Sequence, residues 1–371
     1  MKLNASRADE TAADHVTPIW TIVVPTLALL LVLSEITLFG GTIAGWIVPI
    51  AAALLFATVF SAVHHAETVA LRIGEPFGSI LLAVAVTVIE VSLIVSLLLA
   101  APAGESAIAR DTVFAAIMIT LNGIVGLCLV AGGVRYHESG FQARAATSAL
   151  ALLGTVAVLA LILPNFTLAV SGPVYATPQL VFVAVVSLAL YALFLYVQTI
   201  SHRDDFLDAI APAHVHAPPR RRTFLGGLVL LPVALVAVVL LAESLAHPVE
   251  VAVAGAGLPD ALVGVAIALV VLMPEGVTAY KAARSNRVQT SLNLALGSAL
   301  ASICLTIPTV AVLSLIMGQT LILGLDAEHI VLLVLSLFVA TLTLATGRTT
   351  VLHGGIHLVI FAAFITLAAV P

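Results

Sequence analysis

A chain of 371 residues that is 61% hydrophobic and only 9% charged has far more apolar surface than a soluble core could bury. That excludes a soluble domain and predicts an all-α polytopic membrane protein. The net charge of −5 selects no partner, no glycine-rich phosphate loop suggests ATP or nucleic acid, and Cys128 and Cys304 lie in apolar runs that form neither a disulfide framework nor a thiolate zinc site.

The first 17 residues are polar and mixed in charge. No basic segment leads into a short apolar one, so the first apolar run reads as a retained span rather than a cleaved leader. Runs of about 20 apolar residues then predict eleven transmembrane helices, near 19–39, 44–64, 76–100, 112–133, 145–163, 178–199, 224–243, 259–281, 290–316, 329–346 and 351–370. The second run lacks a helix breaker until Gly74 and is expected to continue through Leu71.

An odd number of spans puts the termini on opposite sides. With the N-terminus inside, the inner segments hold Lys2, Arg7, Arg72, Arg135, Arg144, Arg203, Arg220, Arg221, Arg222, Lys281, Arg284, Arg287 and Arg348, and the outer segments hold only Arg110. Thirteen against one is a strong positive-inside signal. It predicts a bacterial inner-membrane protein with a cytoplasmic N-terminus and a periplasmic or extracellular C-terminus.

The sizeable loop, 200–223, divides the chain into an N-terminal tail and first helix (1–43), a five-helix half (44–199) and a second five-helix half (224–371). An internal repeat follows this division. Span two ends in Ala66-Glu67-Thr68-Val69-Ala70 and span seven in Ala242-Glu243-Ser244-Leu245-Ala246. Span three carries Glu90 and span eight carries Glu275. Asn122 and Gly126 near the start of span four match Asn293 and Gly297 in span nine. Each match lies five spans from its partner. Because five is odd, the two halves are expected to be inverted repeats, a common build of secondary transporters.

Glu90 is the one charged residue in the 25-residue stretch Pro76 to Ala100. A carboxylate at mid-membrane costs roughly 2.5–3.5 kcal/mol on insertion scales. Glu275 repeats the arrangement within Pro259 to Tyr280, after Asp260. The two are expected to form one cation site. Thr87, one turn before Glu90, could add a hydroxyl oxygen. Pro274 frees a backbone carbonyl near Val270. Oxygen ligands of this kind suit hard cations. Asn122 and Asn293 offer either an amide oxygen to the cation or a hydrogen bond between helices. Ser298 and Ser302 continue the Asn293 face as weaker candidates. Glu67 and Glu243 sit at opposite membrane edges, either as proton-pathway groups or as carboxylates in contact with water. His64 with Glu67, and His353 with His357, have spacings that could ligate zinc, but no further ligands stand out. His202, His214, His216, Asp204, Asp205 and Asp208 share the loop, where a solvated segment is the simpler reading.

Two carboxylates in a dry site can be discharged by protons, since burial disfavours the charged form, or by one cation. Both loaded states cross the barrier more cheaply than the empty, doubly charged one. Exchange of cation for proton follows, with inorganic cations, protons and the lipid bilayer as partners and with no resident cofactor or enzymatic chemistry.

The segments HHAETVALRIGEPFGSILLAVAVTVIEVSLIVSLL and VLMPEGVTAYKAARSNRVQTSLNLALGSALASICLTIP resemble the two α-repeats of the calcium/cation antiporter superfamily. Within it, the chain is similar to the ChaA-type bacterial calcium/proton (sodium or potassium/proton) antiporters. The resemblance implies two inverted five-helix halves plus an extra first helix, Glu90 and Glu275 at the paired glutamate positions, and Glu67 as the acidic residue ahead of the first repeat. Many calcium/proton exchangers have Gly-Asn three residues before each glutamate; here Val86-Thr87 and Val271-Leu272 stand there. That departure leaves room for sodium or potassium beside calcium.

Overall fold

The computed structural model describes residues 17–38, 45–74, 77–100, 107–207, 219–257, 259 and 261–370. Asp260, Asp208, His214 and His216 lie outside the described residues. Among the described residues eleven helices follow one another: α1 (Trp20–Leu38), α2 (Val48–Ile73), α3 (Phe77–Ala100), α4 (Ile108–Tyr136), α5 (Ala143–Phe166), α6 (Thr177–Ser201), α7 (Arg221–Gly255), α8 (Ala261–Arg284), α9 (Val288–Met317), α10 (Ala327–Ala345) and α11 (Val351–Ala369). Each coincides with an expected span. Ten are long and apolar enough to cross a membrane, and α3 holds the further apolar stretch Leu81–Ser96.

One span, α7, runs well past its expected end, whereas α2 ends at the first breaker its sequence offers. Helix α2 continues to Ile73 and stops at Gly74, whose φ of 80° a side chain would resist. Helix α7 runs past the expected end at Glu243, and through Pro248, to Gly255. Glu67 and Glu243 therefore lie inside helices rather than at their ends. No breaker stands between Glu67 and Gly74, and α7 continues through Pro248 without ending.

The helices pack into two compact units that do not follow chain order. The first takes Met1–Ile89 and Ala211–Pro248, the second Glu90–Ile210 and Val249–Pro371. In the first, α1 packs along α2. The Thr21 carbonyl, freed from the helix ladder by Pro25 four residues on, accepts the Ser61 hydroxyl at 2.7 Å and lies 3.1 Å from His65 Nε2. Arg72 donates to the Pro219 carbonyl at 2.6 Å.

In the second unit α4 packs against both α8 and α11, and α9 against α6 and α8. Glycine sets the α4–α11 approach. A Cβ on Gly354 would lie 2.6 Å from the Val130 nitrogen and 2.8 Å from the Gly126 carbonyl oxygen. Helices this close associate through backbone contact, as in other small-residue membrane interfaces.

The connections of this unit sort to opposite ends. At one end, strands β1 (Glu138–Gly140) and β2 (Arg348–Thr350) pair antiparallel, Phe141 N donates to Gly347 O, and Gln142 N donates to Gln289 Oε1 at 2.7 Å. At the other, Arg110 reaches the Gly324 carbonyl at 3.0 Å, Asn165 donates to Leu325 O at 2.8 Å, and Val174 bridges Ile322. Successive connections thus alternate between ends, as membrane crossing requires. Arg135, Arg144, Lys281, Arg284, Arg287 and Arg348 all belong to the ribbon end. Arg110, the exception to the charge asymmetry, is buried and held by Asp111 at 2.7 Å and Asp326 at 3.2 Å. A basic residue neutralised in this way no longer counts as a free positive charge.

Candidate functional site

Glu90 is the one charged residue of helix α3, whose other polar side chains are small hydroxyls such as Thr87, Ser92 and Ser96. Glu90 is only 3% exposed, and its Oε1 accepts the Ser302 hydroxyl of α9 at 2.5 Å. A hydroxyl can donate to a carboxylate or rotate to accept from a carboxyl, so this contact tolerates both protonation states. Glu275 of α8 is 8% exposed and, like Glu90, falls in the second unit. Pro274 sits inside α8 immediately before it. The next residue, Gly276, lets Ile124 of α4 seat against the helix: a Cβ there would stand 3.2 Å from Ile124 Cδ1.

Ser302 is where sequence reasoning fell short. It ranked with Ser298 as a weaker candidate, yet Ser302 meets the carboxylate, while Ser298 lies one turn earlier and half-buried. Removing the hydroxyl with Ser302→Ala is expected to cost about 1.5 kcal/mol, a bond to a charged group, and so to weaken cation-dependent exchange roughly tenfold without loss of folded protein. Titrating the cation in a vesicle exchange assay checks it.

Thr87 is buried and donates to the Ala83 carbonyl of its own helix at 2.9 Å. The two asparagines bond to different kinds of partner. Asn293 donates to the Phe206 carbonyl at 2.5 Å and accepts from Gln289 at 2.9 Å, tying the ribbon end of α9. Asn122 is fully buried on a π-helical turn, Ile119–Ile124, in the middle of α4. Its amide nitrogen donates to Ser336 of α10 at 2.8 Å, and its oxygen lies 3.0 Å from His357 Nδ1 of α11. With the amide oxygen as acceptor, Nδ1 carries the proton, and Nε2 faces the Thr343 hydroxyl at 3.3 Å. His353 instead meets the Thr350 backbone N–H through Nδ1 at 3.2 Å. The two histidines read as a zinc pair therefore engage different partners.

This wholly buried Asn122–His357 pair supports the wide π turn. Replacing either with leucine strands the other's polar atom, at about 1–3 kcal/mol. The Asn122→Leu/His357→Leu double variant is expected to lose clearly less than the sum of the singles. Thermal unfolding in detergent of the four proteins measures the difference.

Glu67 is half-buried in α2 and Glu243 exposed on α7. The same unit holds an acidic residue the sequence reading passed over. Glu35 of α1 is 6% exposed, and its Oε2 accepts the Ser244 hydroxyl at 2.7 Å. The signal was present, since Glu35 is the one charged residue in the run 19–39.

Known proteins are similar to this chain over most of its length. The profile of the family described as sodium/calcium exchanger protein matches residues 43–200 and 226–370, on either side of the central loop. The y4hA protein of Sinorhizobium fredii, provisionally named an ionic transporter, is 50% identical over 98% of this chain and 99% of its own. The sodium-potassium/proton antiporter ChaA of Escherichia coli is 34% identical over 84% of this chain and 85% of its own. Among solved structures, native YfkE superposes with a TM-score of 0.73 at 16% identity, covering 96% of this chain and all of that one. An H+/Ca2+ exchanger, CAX, gives 0.72 at 16% identity over 96% of this chain and 90% of that one.

Proposed function

The chain belongs to the sodium/calcium exchanger protein family, and from that premise we propose that it is a secondary cation/proton antiporter whose exchanging groups are Glu90 and Glu275. The observation that carries the reading is Glu90: a carboxyl 3% exposed in a helix with no other charged residue, bonded to a hydroxyl that serves it charged or neutral. Such a group is costly to keep charged without a counter-charge, and Glu275 is its repeat-matched equivalent, also buried. One Ca2+ neutralises two carboxylates, as do two protons, and only the neutralised states cross readily. Coupling is then electrostatic and needs no further device. The inward proton gradient of a bacterial inner membrane would drive cation export, with the N-terminus and the basic ribbon end cytoplasmic. Glu67 and Glu243 are the proposed proton-pathway groups.

A second reading, Na+ or K+ in place of Ca2+, has its own support. Calcium takes six to eight oxygen ligands. Leu272, one turn before Glu275, is 2% exposed and its side chain offers none, and ChaA, the 34% identical relative, is named for sodium and potassium. Everted vesicles with an acid interior separate the readings. The proton gradient is expected to collapse on adding the transported cation, and the Ca2+, Na+ and K+ titrations rank the substrates. A gradient indifferent to all three would sink the proposal.

A further inference from the structure

Helices α4 and α8 leave between them a groove of about 850 Å³. Its lining is apolar along the spans, with Ile119, Leu272 and Met273 joined by Phe361 of α11. The polar end comes from the last turns of the same two helices, which place Arg135, Lys281 and Arg284 along it. All three are exposed, and among the described residues none has a carboxylate within ion-pair distance. Two acidic residues of the ribbon end are committed elsewhere, Glu138 to Arg348 and Asp205 to Arg144. Tyr280, which also lines the groove, has Arg284 above its ring at 5.9 Å. Tyrosine beside basic side chains marks the level of lipid headgroups.

A trough that is apolar at membrane depth and ends in three unneutralised cations fits one kind of molecule. We infer that the groove holds an anionic phospholipid of the surrounding membrane. Its acyl chain lies along Ile119 and Met273, and its phosphate meets Arg135, Lys281 and Arg284. Basic pockets between transmembrane helices on the cytoplasmic side recognise anionic headgroups in this manner. The site adjoins the exchange machinery, because Ile124 and Gly276 line the groove and Gly276 follows Glu275. A bound chain would pack against the turn that carries that carboxyl.

The test reads lipid binding, which succeeds or fails independently of cation exchange. The full chain, purified in mild detergent, is titrated with phosphatidylglycerol or phosphatidylcholine and followed by native mass spectrometry. Wild type is expected to bind one phosphatidylglycerol in preference to phosphatidylcholine. Each basic side chain near an anionic surface contributes roughly fivefold, so R135Q/K281Q/R284Q should bind phosphatidylglycerol on the order of a hundredfold more weakly. Leu127, half-exposed on the groove wall, provides a variant that keeps every charge: Leu127→Trp fills the trough and should also displace the lipid. Millimolar inorganic phosphate should leave the lipid bound. The inference is overturned if the triple variant binds phosphatidylglycerol as wild type does. It is equally overturned if phosphate alone competes, or if the groove is occupied by a second copy of the chain, seen as a dimer that Leu127→Trp dissociates without lipid release.

Discussion

Glu90→Gln and Glu275→Gln are each expected to abolish proton-coupled cation exchange while leaving the protein folded. Glutamine has nearly the shape of glutamate, and its amide oxygen can still accept the Ser302 hydroxyl. What it lacks is the charge and the titratable proton. A cation entering a site with one carboxylate replaced loses a buried charge partner, a change worth about 3–5 kcal/mol. At 1.4 kcal/mol per decade that is a loss of a hundredfold or more. The proton half of the cycle fails as well, since glutamine neither binds nor releases a proton in the working range. The measurement is the decay of an imposed pH gradient in everted vesicles on addition of Ca2+, Na+ or K+, beside equal amounts of folded wild type. Wild-type exchange by the double variant would show that the two glutamates are not the exchanging groups.

Gly354→Val is expected to have the largest effect on folding. The added Cβ would fall 2.6 Å from the Val130 nitrogen and 2.8 Å from the Gly126 oxygen. These are backbone atoms, so no rotamer change relieves the clash, and α11 must move away from α4. Overpacking costs typically about 1–3 kcal/mol and occasionally more, and a backbone-on-backbone clash belongs at or above the top of that range. The displacement would also pull His357, one turn along α11, away from Asn122. Gly355 supplies the control. A Cβ there meets nothing within 4 Å, so Gly355→Val should leave the melting temperature in detergent close to wild type. Similar melting of the two variants would mean that the α4–α11 contact is not the close approach described.

The eleven spans were legible because a lipid-exposed helix must satisfy its own backbone and present apolar side chains along its length. That requirement is local and is written residue by residue. Glu90 and Glu275 stood out for the same reason, Glu90 as the one charge in its run and Glu275 as the one charge away from the ends of its run. Glu35 satisfied the same criterion in the first run, without a repeat partner, and the structure buries it to a similar degree. The expected end of α7 fell short because hydropathy marks the edge of the apolar run, whereas a helix continues until its ladder is broken, beyond Gly255; for α2 the lack of a breaker before Gly74 was legible.

The amino-acid sequence by itself determined how many times the chain crosses, which ends of the helices carry positive charge, and which carboxyls are forced into lipid-like surroundings. These depend on transfer free energies summed along one helix at a time. The tertiary structure alone decided the partners: Ser302 rather than Ser298 for Glu90, Ser244 for Glu35, and His357 with Ser336 for Asn122. A hydrogen bond needs its two atoms within about 3 Å, and residues 14 to 235 positions apart reach that distance only through the rotation and depth at which whole helices pack. Packing of that kind is fixed by many contacts at once, glycine approaches such as Gly354 on Gly126 among them, and no single stretch of the chain encodes it.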